Sequence, residues 1–233
     1  MARHSWGFLG EGLEESDAQT IVSIAEEMGV KTVLLEDEKV AVIPEPTLIN
    51  LVNCEEDLFY FMTNSEDVGT KIQWEDICLF SAVCLKEGSN VQKTVKEGRT
   101  QTQKMMSFGI AMTTGIPIKI GKDREVTKSV SERELHFFAD IFIKNPDATV
   151  QRLHIEAEKL DYSYLGARKQ PNVTGNFYLL VRDIAARTSS AIHNKGVQTL
   201  ISAQPFTSAG YDAIADYEKE CRWLLTLKAV SGK

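Results

Sequence analysis

The chain has 233 residues, 43% hydrophobic and 25% charged, with only 15 Gly and 6 Pro, a composition that builds a packed core and excludes a low-complexity polymer. Its formal net charge of −7 argues against general nucleic-acid binding, which draws affinity from cationic surface. Cys54, Cys78, Cys84 and Cys221 have neither zinc-knuckle nor thioredoxin-type spacing. Each lies beside apolar residues, so they are expected as small hydrophobes in a reducing cytoplasm, with no disulfide framework.

In chain order, Trp6 to Leu9 reads as a first strand. Ser16-x-x-Gln19 then forms a capping box. Ala18, Ile21, Val22, Ala25 and Met28 recur at helical spacing, and Gly29 supplies the left-handed residue that ends the helix. Val30 to Leu35 and Val40 to Ile43 follow as β-rich runs around the acidic turn Glu36-Asp37-Glu38. Residues 1–46 are therefore expected to form a small β-α-β-β lobe, like half of a ferredoxin-like unit.

From Thr47 the pattern changes to strands: Thr47 to Val52, Leu58 to Met62, Thr70 to Trp74 and Ile77 to Leu85, an antiparallel meander. Residues 86–104 are polar and read as a long loop. Met105 to Met112 and Ile116 to Ile120 read as strands, and Lys122 to Glu134 as a charged connection. Leu135 to Ile143 and Thr149 to Ala157 flank Asn145-Pro146-Asp147 and predict a hairpin. A helix over the first arm, capped by Ser131-x-x-Glu134, is the alternative; aromatic and β-branched content favours strand. Phe177, Leu180, Val181, Ile184 and Ala185 line one helix, and Tyr211, Ile214, Tyr217, Cys221, Leu224 and Leu225 another. His193-Asn194-Lys195-Gly196 reads as a helix C-terminal cap. The fold class is α+β, and residues 189–233 are expected as a C-terminal helical extension.

Charge divides unevenly: residues 1–85 carry 17 acidic and 4 basic residues, net −13, and residues 86–233 carry 16 and 22, net +6. Docking of the two portions on each other accounts for this; the sharper alternative is that Lys86 to Lys104 meets an anionic ligand. The opening residues reach Glu11 to Glu15 before an apolar signal region forms. Met105 to Ile118 is shorter than the ~20 residues that span a bilayer. Neither a secretory leader nor integral membrane association is expected.

Two segments carry candidate chemistry. Strand alternation across Arg152 to Glu158 places Arg152, His154, Glu156 and Glu158 on one face, where Arg, His and carboxylates together could do acid–base work. The wet face of any sheet has the same composition, and that reading is preferred. Asp161, Tyr162, Tyr164 and Arg168 form the densest polar-aromatic cluster; Arg168 could hold a carboxylate or phosphate, although a loop packed under a helix looks the same. The histidines His4, His136, His154 and His193 share no spacing that predicts a metal site. Gly109, Gly115 and Gly121 are too far apart for a phosphate-cradling loop. No cofactor, metal or enzyme class is indicated.

The passage Ile72-Gln73-Trp74-Glu75-Asp76-Ile77 resembles one common in bacterial pleckstrin-homology-like and GRAM-like domains, where an aromatic-rich strand turns and the return ends in Trp-x-Asp-Ile. Arg152-Leu153-His154-Ile155 and Phe177-Tyr178-Leu179-Leu180 resemble passages of bacterial proteins of uncharacterised function. The resemblance covers residues 47–188. It implies a mainly antiparallel, barrel-like sheet closed by a C-terminal helix, and a module that binds phospholipid headgroups or peptides. The segment 86–104 and the N- and C-terminal segments depart from that pattern.

The expected function is a non-catalytic cytoplasmic binding or interaction module, with a protein partner or self-association and no nucleic acid. One alternative is a small-molecule enzyme or ligand-gated regulator using residues 152–168. Another is weak attachment to anionic membranes through Lys86, Lys93, Lys96, Arg99 and Lys104, each base contributing ~1 kcal/mol near such a surface. Trp74 is expected to be buried and Trp223, opposite its helix's apolar arc, more exposed.

Overall fold

The computed structural model describes residues 7–63, 69–97 and 124–231, with side chains throughout except at 87–97 and 124–133. It is an α+β structure containing two sheets. The larger has the strand order β1-β7-β6-β5-β8 and the smaller the order β2-β3-β4. These strands are β1 (Pro46–Leu48), β2 (Leu51–Cys54), β3 (Leu58–Met62), β4 (Thr70–Gln73), β5 (Ile77–Glu97), β6 (Arg124–Lys144), β7 (Val150–Glu156) and β8 (Ile192–His193). The helices among the described residues are α1 (Glu15–Glu27), α2 (Val173–Arg187), α3 (Lys195–Ile201) and α4 (Ile214–Ser231). Two compact units are present: residues 1–86 with 135–233, and residues 87–134.

The smaller sheet keeps part of the expected meander, β2 antiparallel to β3 and β3 to β4, with Phe59 opposite Ile72; the expected first strand is divided between β1 of the larger sheet and β2, and Ile77 to Leu85 lies in β5 of the larger sheet. In the larger sheet β6 and β7 form the expected hairpin, with Asp140 opposite His154 and Phe142 opposite Arg152. Two edges depart from a meander, because β1 joins β7 in parallel and β8 joins β5 in parallel.

Strand alternation gives the larger sheet two distinct faces. On one, Phe80, Ala82 and Cys84 of β5 and Ala139, Ile141 and Ile143 of β6 pack with Phe177, Leu180 and Ile184 of α2 and with Phe59 and Phe61 of β3. On the other, Val83, Leu85, Phe138 and Phe142 pack with Tyr217, Cys221 and Leu225 of α4. The sheet is therefore covered on both sides within the first unit, and residues 189–233 supply one of the covers.

Several local expectations are corrected. Helix α1 begins at Glu15 with Glu14 as its N-cap and no side-chain cap. The expected capping box is not used, since Gln19 donates to Glu15 while Thr20 and Ser23 bond back to carbonyls one turn earlier. Gly29 does take the left-handed conformation, φ +76°. Val30 to Leu35 and Val40 to Ile43 form no strands; a β-prone run needs a ladder to join, and here Ala41 N–H donates to the Thr226 hydroxyl of α4 at 3.0 Å. The polar stretch from Lys86 to Glu97 continues β5, and Arg124 to Glu134 belongs to β6, because backbone pairing needs no apolar side chain to propagate. The strands expected at 105–112 and 116–120 lie outside the described residues, as does Trp6, and Gly7 to Leu9, the rest of the expected first strand, form none.

The segment His193 to Gly196 starts a helix instead of ending one. The Asn194 side chain accepts from Val197 N–H as N-cap of α3, accepts from Ala82 N–H, and donates to Ala82 O and the Tyr211 hydroxyl. All its hydrogen-bonding capacity is thereby directed into the fold. Gly196 is required at the next contact, because a Cβ there would lie 1.9 Å from Ala82 O.

Candidate functional site

The most charged buried group lies between β5, β6, β7 and α4. Asp140, near the C-terminal end of β6, has no exposed surface. Its Oδ2 accepts from Arg152 Nε at 3.0 Å and Nη2 at 2.8 Å, and from the Tyr217 hydroxyl; its Oδ1 pairs with His154 Nδ1 at 2.6 Å. The cross-strand register makes this possible, since Arg152 and His154 stand at alternate positions of β7 beside Asp140. Arg152 Nη1 continues to Glu218 at 3.1 Å, and the Ser81 hydroxyl shares a 2.7 Å hydrogen bond with that of Tyr217. The Arg152 guanidinium also lies over the Phe142 and Tyr217 rings.

Burial alone would lower the Arg152 pKa, but the adjacent Asp140 carboxylate overrides it and holds the guanidinium above its ordinary value. Burial, reinforced by Asp140, pushes the Tyr217 hydroxyl well up, and burial does the same to the Cys221 thiol. Tyr217 is therefore a fixed neutral donor in a charge-paired network. Its partly open members are His154, 19% exposed, and Glu218, 43% exposed.

The predicted site residues separate into two groups. Arg152 and His154 meet on Asp140, while Glu156 binds Lys159 and Glu158 is exposed. Arg152 is buried, so it does not belong to a solvated sheet face; the covering helix α4 was the missing element. Asp161 accepts from Ser163 N–H in a local turn, and the Tyr162 hydroxyl is buried on Ala157 O. Tyr164 and Arg168 converge instead on Asp183 of α2, Arg168 through a two-pronged pair of 2.9 and 2.8 Å. Of the basic residues singled out on 86–104, Lys86 lies on β5; the side chains of Lys93 and Lys96, and Arg99 and Lys104 entirely, lie outside the described residues.

Cys54 of β2 lies against the Asp183 group. Burial, with the Asp183 charge next in weight, pushes its thiol up to about 12 from 9.0. A folded state that holds this proton more tightly than the unfolded one is fully favoured below pH 9 and loses that contribution as pH rises toward 12. Urea midpoints measured at pH 8 and pH 10.5 should therefore fall less for Cys54→Ala than for the parent. An identical fall would remove Cys54 from the account.

A different kind of site lies at the N-terminal end. Residues 7–13, α1 through Ala18, Ile21 and Val22, the segment Val30 to Leu35, and α4 through Trp223, Leu227 and Val230 enclose an apolar trough of about 830 Å³. Val33 is 70% exposed, and Leu9, Leu34 and Val230 each about half. Arg222 projects from α4 over the Phe8 ring, which meets Trp223 edge-on at 5.7 Å. Its Nη2 donates to Glu11, which also pairs with Lys219 at 3.3 Å. Arg222 Nε and Thr32 Oγ1, both in the lining, are buried without a hydrogen-bond partner among the described residues. This trough could not be read from the sequence, because it arises from α1 and an irregular segment meeting α4, some 190 residues later.

Among the described residues no group of three or more His, Cys, Asp or Glu side chains could hold a metal ion, and no helix is long and apolar enough to cross a membrane. No protein-family model, curated protein or solved structure matches this chain.

Proposed function

We propose that this chain is a binding module, non-catalytic in its own right, whose ligand occupies the trough between α1, Val30 to Leu35 and α4. The carrying observation is the trough itself: about 830 Å³ of mostly apolar, partly open space, with the residues of two unpartnered buried polar atoms in its lining. That size lies within the ~300–1,000 Å³ range of small-molecule sites. The Asp140 cluster supports the same reading from the opposite direction, because its polar atoms are directed at each other and join β6 and β7 to α4. Thermal-shift screening against apolar, amphipathic and polar metabolite panels, followed by turnover assays on each hit, tests the proposal. Stabilisation by apolar or amphipathic compounds without turnover is expected; robust turnover of any hit overturns it.

A second reading has one specific observation in its favour. Asp140 holds His154 by Nδ1 while the ring remains partly exposed, an arrangement that orients an imidazole for proton transfer. Under it, His154→Gln abolishes turnover of a hit; under the binding reading the same substitution leaves ligand affinity unchanged.

The pleckstrin-like relationship belongs to the proposal as well. It is supported by the β2-β3-β4 meander, the β6-β7 hairpin and the packing of α2 across the sheet, which together would make a barrel-like sheet closed by a helix. Attachment to anionic membranes through residues 86–104 is the least supported arm of the proposal, resting on the basic composition of that stretch.

A further inference from the structure

We infer that Val30 to Leu35 is an open strand edge that pairs with an extended peptide of a partner protein, one with uncharged apolar residues at alternate positions and basic residues on either side. The inference rests on the reading of the trough as the binding site and names its occupant.

The run Val30-Lys31-Thr32-Val33-Leu34-Leu35 has the β-branched and aliphatic content of a strand and lacks only a neighbour. From Val30 to Glu36 the chain makes no turn, bend or helix, and Glu36 is extended, with φ −65° and ψ 141°. Among the described residues, the backbone N–H and C=O groups of Lys31 to Leu35 form no hydrogen bond. Lys31, Val33 and Leu34 are exposed. An unpaired edge of this kind is what an added strand recognises: main-chain hydrogen bonds supply affinity, and pockets for alternate side chains supply specificity. The pocket is at hand, because all six residues of the run line the trough. At ~3.3 Å per residue the run is ~20 Å long. A partner strand of about six residues would match it, with about three side chains directed to one face.

Charge decides which strand fits. The charged residues of the lining, Glu11, Lys31, Asp37 and Arg222, cancel, so the side chains that enter are uncharged. Leu9, Leu13, Ile21 and Val230 give them apolar surface. The surrounding balance is different, since residues 9–42 carry nine acidic residues, all exposed, against Lys31 and Lys39. Basic residues flanking the partner's apolar stretch complement that surface. Two copies of this run placed edge to edge would bring the same acidic surfaces together, which disfavours self-pairing.

The test uses the full chain and a capped, fluorescein-labelled peptide, Lys-Lys-Val-Ser-Val-Ser-Val-Lys-Lys, followed by fluorescence anisotropy. Two analogues are N-methylated, one at its valines and one at its serines, which removes the main-chain donors of one edge at a time. One analogue should bind at least about tenfold more weakly than the parent peptide, and the other within about threefold of it. A version flanked by glutamate should bind at least about tenfold more weakly at low salt, and the gap should close at high salt. Amide hydrogen exchange should slow at alternate residues of Lys31 to Leu35 when the parent peptide is bound. Equal binding by the parent peptide and both analogues, or unchanged exchange at those amides, overturns strand pairing and leaves the binding-module reading intact. So does failure of every peptide while apolar compounds still stabilise the chain. Failure of the peptides and of those compounds alike overturns both. Light scattering completes the test: a dimer that dissociates on adding peptide identifies a second copy as the occupant and overturns the partner assignment.

Discussion

Asp140→Ala is expected to destabilise the native state by about 3–5 kcal/mol, the usual cost of removing one partner from a buried ion pair. The carboxylate is fully buried, and Arg152 beside it is only 4% exposed. Removing it leaves the Arg152 guanidinium with Glu218 alone, while the Tyr217 hydroxyl and His154 Nδ1 lose their shared acceptor. The losses at Arg152 and Tyr217 carry a desolvation penalty that water cannot relieve under α4. The double variant Asp140→Leu with Arg152→Met should be less damaged than Asp140→Ala, because it removes both charges and restores volume. Urea unfolding followed by circular dichroism measures both. If Asp140→Ala stayed within about 1 kcal/mol of the parent, the network could not be what joins the β6-β7 hairpin to α4.

How far this cluster was legible in the sequence follows from its parts. The β6-β7 hairpin was readable from Asn145-Pro146-Asp147 between two β-prone runs, and alternation put Arg152 and His154 on one face. Alternation along β6 also puts Asp140 between Phe138 and Phe142, and a carboxylate between two aromatic residues on a buried face demands a cation. That signal was present and went unused. Tyr217 and Glu218 were beyond local reasoning, since their places depend on α4 crossing the sheet, 77 residues from Asp140 and 66 from Arg152, and Ser81 reaches the cluster only through the neighbouring β5, 59 residues from Asp140. Helices α2 and α4 were readable because each carries an apolar arc at helical spacing. The segments 30–35 and 40–43 were misread for the converse reason: β propensity describes fitness for a pleated surface, and no strand edge lies beside them. Val30, Val33 and Val42 remain exposed, Val42 at 84%, and part of that apolar surface became the trough.

Trp74 supplies the other large expected effect. It was read as the last residue of a strand; it opens a short 3-10 turn, Trp74–Asp76, directly after β4. Its burial does not depend on that difference. The indole is 6% exposed, its ring lies 5.5 Å from that of Phe59, and its N–H donates to Glu55 O at 3.3 Å. The Arg187 guanidinium at the end of α2 lies over the ring, so Trp74 joins the small sheet to that helix. Trp74→Ala removes an aromatic payload, leaves a cavity and strands a carbonyl, for an expected loss of about 3–5 kcal/mol, a large share of a typical stability of about 5–15 kcal/mol. Trp74→Phe keeps the ring contact and loses only the hydrogen bond and part of the volume, so it should fall between the two. Trp223 is partly exposed and meets chiefly Phe8 at the trough, and Trp223→Ala should cost less than about 2 kcal/mol. Its effect should appear instead as weakened binding of compounds that occupy the trough. Far-ultraviolet circular dichroism in urea is the measurement for all three, because fluorescence would lose its own reporter. A Trp74→Ala protein with the parent's midpoint would mean that the small sheet contributes little to the core it shares with α2.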